Sequence, residues 1–302
     1  MLVIMKNKKL IMKLGKRALL VGIIFSGITS CNFSKSASKD LILGITTKGD
    51  GLSAEHVYVT INNEKVSDNA FYYGQDIITN FENMDGFVTE NNTYFPMMQV
   101  VLVSKKGDTI MYEPDLLKAD SGFDASLKTL TGNMILARPI YSGEDYTMYY
   151  SITDKKGDGK FSSELKFDVL HDPLIKVEKK GLDFKEGYLM SLSKNNIITN
   201  GKIAFDEKIL MDFQDLYGYK STNGNVSLGL KIRVVDAADT VILNMEDAFN
   251  GRPISEDEIK AGVGAQLVIN KGRLKNPVNF HVTIWDKNSD AKLTAHTAII
   301  VE

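Results

Sequence analysis

Tyr146–Lys160, YTMYYSITDKKGDGK, and Val278–Lys292, VNFHVTIWDKNSDAK, are one pattern written twice. At a spacing of 132 residues (286 minus 154) Met148 matches Phe280, Ile152 matches Ile284, Asp154 matches Asp286, Lys155 matches Lys287, Asp158 matches Asp290 and Lys160 matches Lys292. Each copy alternates apolar and polar residues and then breaks in a turn rich in Lys, Gly, Asn and Asp. That is the pattern of a half-buried strand running into a hairpin.

Outward from this pair, the rest of the chain also falls into two halves. Val57–Ile61, Met97–Val103 and Leu165–Val169 alternate in the first half, and Tyr188–Leu192, Val226–Val235 and Thr297–Val301 in the second, with Asn-Asn and Lys-Lys-Gly-Asp turns between runs. FENMDGF at 81–87 matches FQDLYGY at 213–219 at the same spacing. Thr109-Ile110 precedes Thr240-Val241 by 131 (240 minus 109), which predicts one indel in a loop. Two long-period copies predict two similar globular domains rather than a solenoid, which needs at least three repeats. The expected fold is mainly β: tandem, internally duplicated antiparallel β-sandwiches of Ig-like type over 41–172 and 173–302. One short helix is expected in each, within Glu113–Leu130 and Glu246–Ala265; Ser255-Glu-Asp-Glu258 fits a capping box with Ile254 and Ile259 as its staple. The linker His171-Asp172-Pro173 is short enough to predict domains in contact.

The 302 residues carry 36 basic and 38 acidic side chains. Six of the basic ones (Lys6, Lys8, Lys9, Lys13, Lys16, Arg17) and none of the acidic ones lie in the first thirty residues, so removing that segment leaves a net charge of −8. No basic field for nucleic acid is expected. Cys31 is the only cysteine, which excludes an intrachain disulfide and a cysteine-based metal cluster. The basic residues are followed by a weakly polar to apolar run, Ala18–Ile28, too short to span a bilayer and suited to a signal-peptide core. Ile28-Thr29-Ser30-Cys31 then resembles the lipobox of bacterial lipoproteins, a resemblance confined to this leader. It implies cleavage of residues 1–30, a thioether lipid and an acyl chain such as palmitate on Cys31, and a membrane anchor in the cell envelope, expected at the outer membrane, facing the periplasm or the surface. Residues 31–40 (NFSKSASKD after the cysteine) are small and polar and predict a flexible tether.

Candidate sites are few. Asp154 and Asp158, and Asp286, Asn288 and Asp290, place oxygen side chains at alternate positions, as a calcium loop does. The set lacks the closing bidentate acid, and lysines interrupt it, so a solvated hairpin turn is the preferred reading. Alternation puts Phe280, Val282 and Ile284 inward and sends Trp285, the only tryptophan, to the opposite face. There it can stack on a sugar or, the favoured reading, pack under a loop or against the other domain. Tyr72-Tyr73 and Tyr149-Tyr150 each predict one core ring and one surface ring, making Tyr149 a second candidate binding residue. His56, His171, His281 and His296 read as isolated, and no nucleophile with an attendant base stands out. The leading expectation is a lipid-anchored envelope protein with a binding or structural role and neither catalysis nor a cofactor. The alternatives are a glycan-binding or glycan-processing accessory lipoprotein and a calcium-stabilised adhesive module. Expected partners are the membrane, through the lipid on Cys31, and an envelope protein or glycan.

Overall fold

Among the described residues no strand within 35–170 pairs with a strand within 176–301. The structure, a computed structural model, describes residues 35–39 and 43–302. The leader and Cys31 lie outside the described residues. The first half contains β1 (Lys35–Lys39), β2 (Thr46–Asp50), β3 (His56–Ile61), β4 (Glu64–Lys65), β5 (Ala70–Tyr72), β6 (Asp76–Glu82), β7 (Thr89–Glu90), β8 (Thr93–Tyr94), β9 (Pro96–Ser104), β10 (Thr109–Glu113), β11 (Phe123–Asp124), β12 (Leu130–Ile135), β13 (Glu144–Asp154) and β14 (Lys160–Leu170). The second half contains β15 (Lys176–Lys180), β16 (Glu186–Ser191), β17 (Asn196–Ile197), β18 (Lys202–Ile203), β19 (Lys208–Gln214), β20 (Ser221–Thr222), β21 (Asn225–Val226), β22 (Leu228–Val235), β23 (Val241–Met245), β24 (Ile254–Ser255), α1 (Glu256–Ala261), β25 (Val263–Val268), β26 (Val278–Asp286) and β27 (Lys292–Val301).

Each half is a sandwich with the same strand order. The large sheet runs β1-β2-β14-β13-β9-β10 in the first half and β15-β27-β26-β22-β23 in the second; the facing sheet runs β12-β6-β3-β4 and β25-β19-β16-β17. Among the described strands the pairings are antiparallel except β5 on β14 and β18 on β27, which match each other. Lys35–Lys39, within the stretch expected as a tether, pairs along β2 and covers its open edge.

The duplication holds at the level of single atoms. Phe81 and Phe213, Ile152 and Ile284, and Met148 and Phe280 are all fully buried at equivalent positions. The N–H of Met98 donates to Asp115 Oδ1 and that of Leu230 to Asp247 Oδ1, while Lys155 and Lys287 reach the second oxygens of the same carboxylates at 2.9 and 2.6 Å. Gly86 (φ 97°) and Gly218 (φ 90°) press against the carbonyl oxygens of Gly51 and Gly181; a Cβ at either would sit 2.0 Å from that oxygen. The left-handed backbone and the close approach together require glycine at these two points.

Two expectations change. Thr109 opposes Val103 and Met111 opposes Leu102, with Ile110 bulged; Val241 opposes Val235 and Leu243 opposes Val234, with Ile242 bulged. The bulge therefore keeps the 132 spacing, Thr109 matching Val241 and not Thr240. The length change sits in the hairpin after the third strand, a two-residue Asn62-Asn63 turn in left-handed conformation in the first copy and the four residues 192–195 in the second. The helix also appears in the second copy alone among the described residues. There Ser255 and Glu258 form the predicted capping box, with Ile259 buried beneath. Phe123–Asp124 pairs with β8 as Ile254–Ser255 pairs with β21, but in the first copy no capping box follows the pairing and the chain turns left-handed at Lys118.

Candidate functional site

The hairpin carboxylates act as ties across each sandwich. Asp154 accepts the N–H groups of Val88 (2.7 Å) and Lys156 (2.9 Å). Asp286 accepts those of Lys220 (3.0 Å) and Asn288 (3.0 Å) and the Ser289 hydroxyl (2.5 Å). Burial pushes the Asp286 carboxyl up, but the donors of Ser289, Asn288 and Lys220 outweigh it and hold it below the usual carboxylate range. Asp158, Asn288 and Asp290 stay exposed, and among the described residues no group of three or more metal-type side chains converges. With their oxygens engaged by N–H and O–H donors, Asp154 and Asp286 fasten the hairpin to the segment leaving β6 or β19.

The outer-face aromatic residues have different settings. Tyr149 is 41% exposed beside Val101 and Glu164, while Tyr150 is buried, as the alternation requires. Trp285 covers Gly229 on the neighbouring strand, where a Cβ would meet the indole at 2.1 Å. It is half-buried, and Gly229 leaves a flat seat for the ring on its own sheet. His281 and His296, expected to be isolated, are direct cross-strand partners with ring centroids 5.5 Å apart and 21° between planes. Burial, then His296 and Arg233, hold His281 below the usual imidazole range.

A site that no motif announced lies where the sandwiches meet. Ser34–Glu302 forms one compact unit. The fully buried Glu186 accepts the Ser142 N–H (2.7 Å), the Ser142 hydroxyl (3.0 Å) and the Gly187 N–H (3.1 Å), and Ser142 Oγ lies 2.5 Å from His171 Nδ1. Tyr73 packs on Tyr188 at 5.5 Å, the Lys185 ammonium sits 3.6 Å above the Tyr141 ring, and Ile197 fills the space where a Cβ on Gly74 would be. Burial pushes the Tyr73 phenol up to about 12 and, with help from the Glu186 charge, the linker carboxyl Asp172 to about 6. The Ser142 hydroxyl is shared between the Glu186 carboxylate and His171 Nδ1, and Glu186 Oε1 lies 3.9 Å from that same nitrogen, unlike a triad, whose histidine meets serine and acid on different ring nitrogens. The cluster fastens the junction. Beside it opens a cleft of about 660 Å³ whose walls include Asn62, Gln75 and Arg138 from the first sandwich and Asn195, Asn196 and Asn200 from the second. The only trace of this site in the sequence is the shortness of 171–173, since its polar residues are scattered from 62 to 207.

No protein-family description matches the chain, and no curated protein matches it. Among solved structures it is similar to fibronectin(III)-like modules of Clostridium thermocellum CbhA, at 12% identity and a TM-score of 0.20 over 81% of this chain and 94% of that one. Three N-terminal domains of the bacteriophage RB49 Highly Immunogenic Outer Capsid protein (Hoc) match at 11% and 0.20 over 86% and 78%. A Bacteroides uniformis beta-glucuronidase 2 matches at 8% and 0.22, over 75% of this chain and 26% of the enzyme. TM-scores this low leave the sandwich architecture resting on strand order and register alone.

Proposed function

We propose that this chain is a membrane-tethered, non-catalytic binding protein of a bacterial envelope, held by lipid on Cys31 and presenting its two sandwiches as one fixed body to a hydroxyl-rich ligand such as a glycan. The observation that carries the binding part is the junction cleft. Its walls come from both sandwiches, and the Glu186–Ser142 tie and the Tyr73–Tyr188 contact keep them together. Carboxamides such as those of Asn62, Gln75, Asn195, Asn196 and Asn200 each offer donors and an acceptor, the complement of a sugar's hydroxyls. The anchor part rests on the lipobox at 28–31, since two or three acyl chains give stable membrane retention where one does not.

Two experiments test the two parts separately. Cys31→Ser should release the protein from membranes or stall its processing, and unchanged retention and mobility would refute the anchor. Glycan-array binding by the mature protein should fall on Asn196→Ala with no change in melting temperature; array binding that ignores both Asn196→Ala and Gln75→Ala would refute the cleft.

A further inference from the structure

The outer face of the second large sheet carries a charge pattern that its duplicate lacks. Across β22, β26, β27 and β15, register places Arg233, His281, His296 and Lys176 directly side by side, four side chains that are or can become cations. Two residues along the strands come Lys231 and the hydroxyls of Thr283 and Thr294, and two further along Trp285 stands beside Lys292. The matching first row of the other sandwich reads Val101, Tyr149, Glu164 and Thr46. These residues face outward, so core packing does not demand the row, and like charges set opposite one another destabilise a sheet. The acids nearby are Glu246 just after β23, which engages Lys231 at 2.6 Å and feels the charge of Arg233, and Glu178 on β15. Arg233 has no ion pair or hydrogen bond among the described residues, and it borders a hollow of about 230 Å³ shared with Lys231, His281, Thr283 and Thr294.

We propose that this face binds an acidic polysaccharide, with carboxylate or sulfate groups on the Arg233–His281–His296–Lys176 row and a sugar ring against Trp285. The hollow suits an oxyanion that Arg233 holds as a fork and the two threonines approach with hydroxyls. At roughly 3.3 Å per residue, Trp285 lies about 13 Å along the strand from His281. One sugar cannot reach both, which selects a polymer over a free anion. The face supplies cations to a chain whose mature net charge is −8, so the attraction is local and is weakened by salt. His281 adds a pH dependence. An oxyanion favours the protonated imidazole, and because burial with His296 and Arg233 holds His281 below the usual imidazole range, binding tightens as pH falls below that range, with Lys231 and Arg233 on β22, His296 on β27, Lys176 and Glu178 on β15 and Glu246 just after β23 setting the surrounding charge.

This inference deepens the reading of the chain as a binding protein, and its test separates the two sites. Detergent-solubilised mature protein is titrated with polygalacturonate, chondroitin sulfate, neutral dextran and inorganic phosphate. The acidic polymers bind and dextran does not; Arg233→Glu lowers their affinity at least about tenfold, and Trp285→Ala weakens it without removing the salt dependence. Affinity rises as pH is lowered from about 6.5, the ordinary histidine value, towards the acid side, and His281→Gln flattens the rise. Asn196→Ala in the cleft leaves polymer binding unchanged. Polymer binding undiminished in Arg233→Glu, dextran bound as well as the acidic polymers, or phosphate bound without them overturns the proposal. Polymer binding lost in Asn196→Ala and kept in Arg233→Glu overturns it in favour of the cleft.

Discussion

Replacing Asp172 by Asn should stabilise the protein at neutral pH. Asp172 is 5% exposed in the linker, its Oδ1 accepts the Leu174 N–H at 2.9 Å, and its Oδ2 has no hydrogen-bond partner among the described residues. Burial, with the nearby Glu186 charge, lifts its pKa from 3.8 to about 6. Each unit corresponds to about 1.4 kcal/mol, so ionised Asp172 costs roughly 3 kcal/mol at most. Because the folded pKa is the raised one, the cost is full above about pH 6, fades as pH falls, and is gone below 3.8, where the carboxyl is protonated in both states. Asparagine keeps the oxygen that Leu174 needs and carries no charge. The expected gain is about 2 kcal/mol at pH 7.5, a rise of several degrees in melting temperature for a chain of this size. Urea unfolding of wild type and variant at about pH 7.5, 6 and 4 reads the difference free of the background titration shared by both. A variant less stable at pH 7.5, or a gap that stays constant with pH, refutes the reasoning.

Three other outcomes are expected. Phe81→Ala and Phe213→Ala should each cost about 3–5 kcal/mol in chemical denaturation, and a large loss in only one half would deny their equivalence. Gly86→Ala and Gly218→Ala should each cost more than about 1 kcal/mol, since a Cβ meets a backbone oxygen in both; a neutral effect on melting at either site contradicts the close approach. Millimolar calcium should leave the melting temperature where it was, and Asp286→Asn should cost about 1–3 kcal/mol with or without it, because the carboxylate is held by N–H and O–H donors; a calcium-induced rise abolished by Asp286→Asn would restore the cation loop.

The fold was legible because its signals are local and doubled. Alternation at 146–152 and 278–284 assigns Met148, Phe280, Ile152 and Ile284 to the core, and all four are fully buried. The 255–258 capping box is a four-residue signal and needs no tertiary context. The Thr109 register was misplaced by one because Thr240-Val241 resembles Thr109-Ile110 in its side chains, whereas the bulge common to both copies aligns Thr109 with Val241. Trp285 was placed on the correct face but not on its seat, since the glycine beneath it is 56 residues away (285 minus 229). The Ser142–Glu186 tie and the His281–His296 pair depend on which strand ends meet across a junction or a ladder, and spacing along one chain carries no trace of that.

The junction also bears on whether such modules can be strung further. It is heterologous: one copy contributes Tyr73 and Gly74, the other Tyr188 and Ile197, and contacts of this head-to-tail kind propagate unless something stops them. In the second copy the positions 132 residues after Tyr73 and Gly74 are Phe205 and Asp206. Asp206 keeps the left-handed turn, at φ 63° against 88° for Gly74, but carries an exposed, charged side chain where the glycine gave Ile197 its room. A third sandwich approaching the second in the manner of the first joint would meet that carboxylate with its own isoleucine.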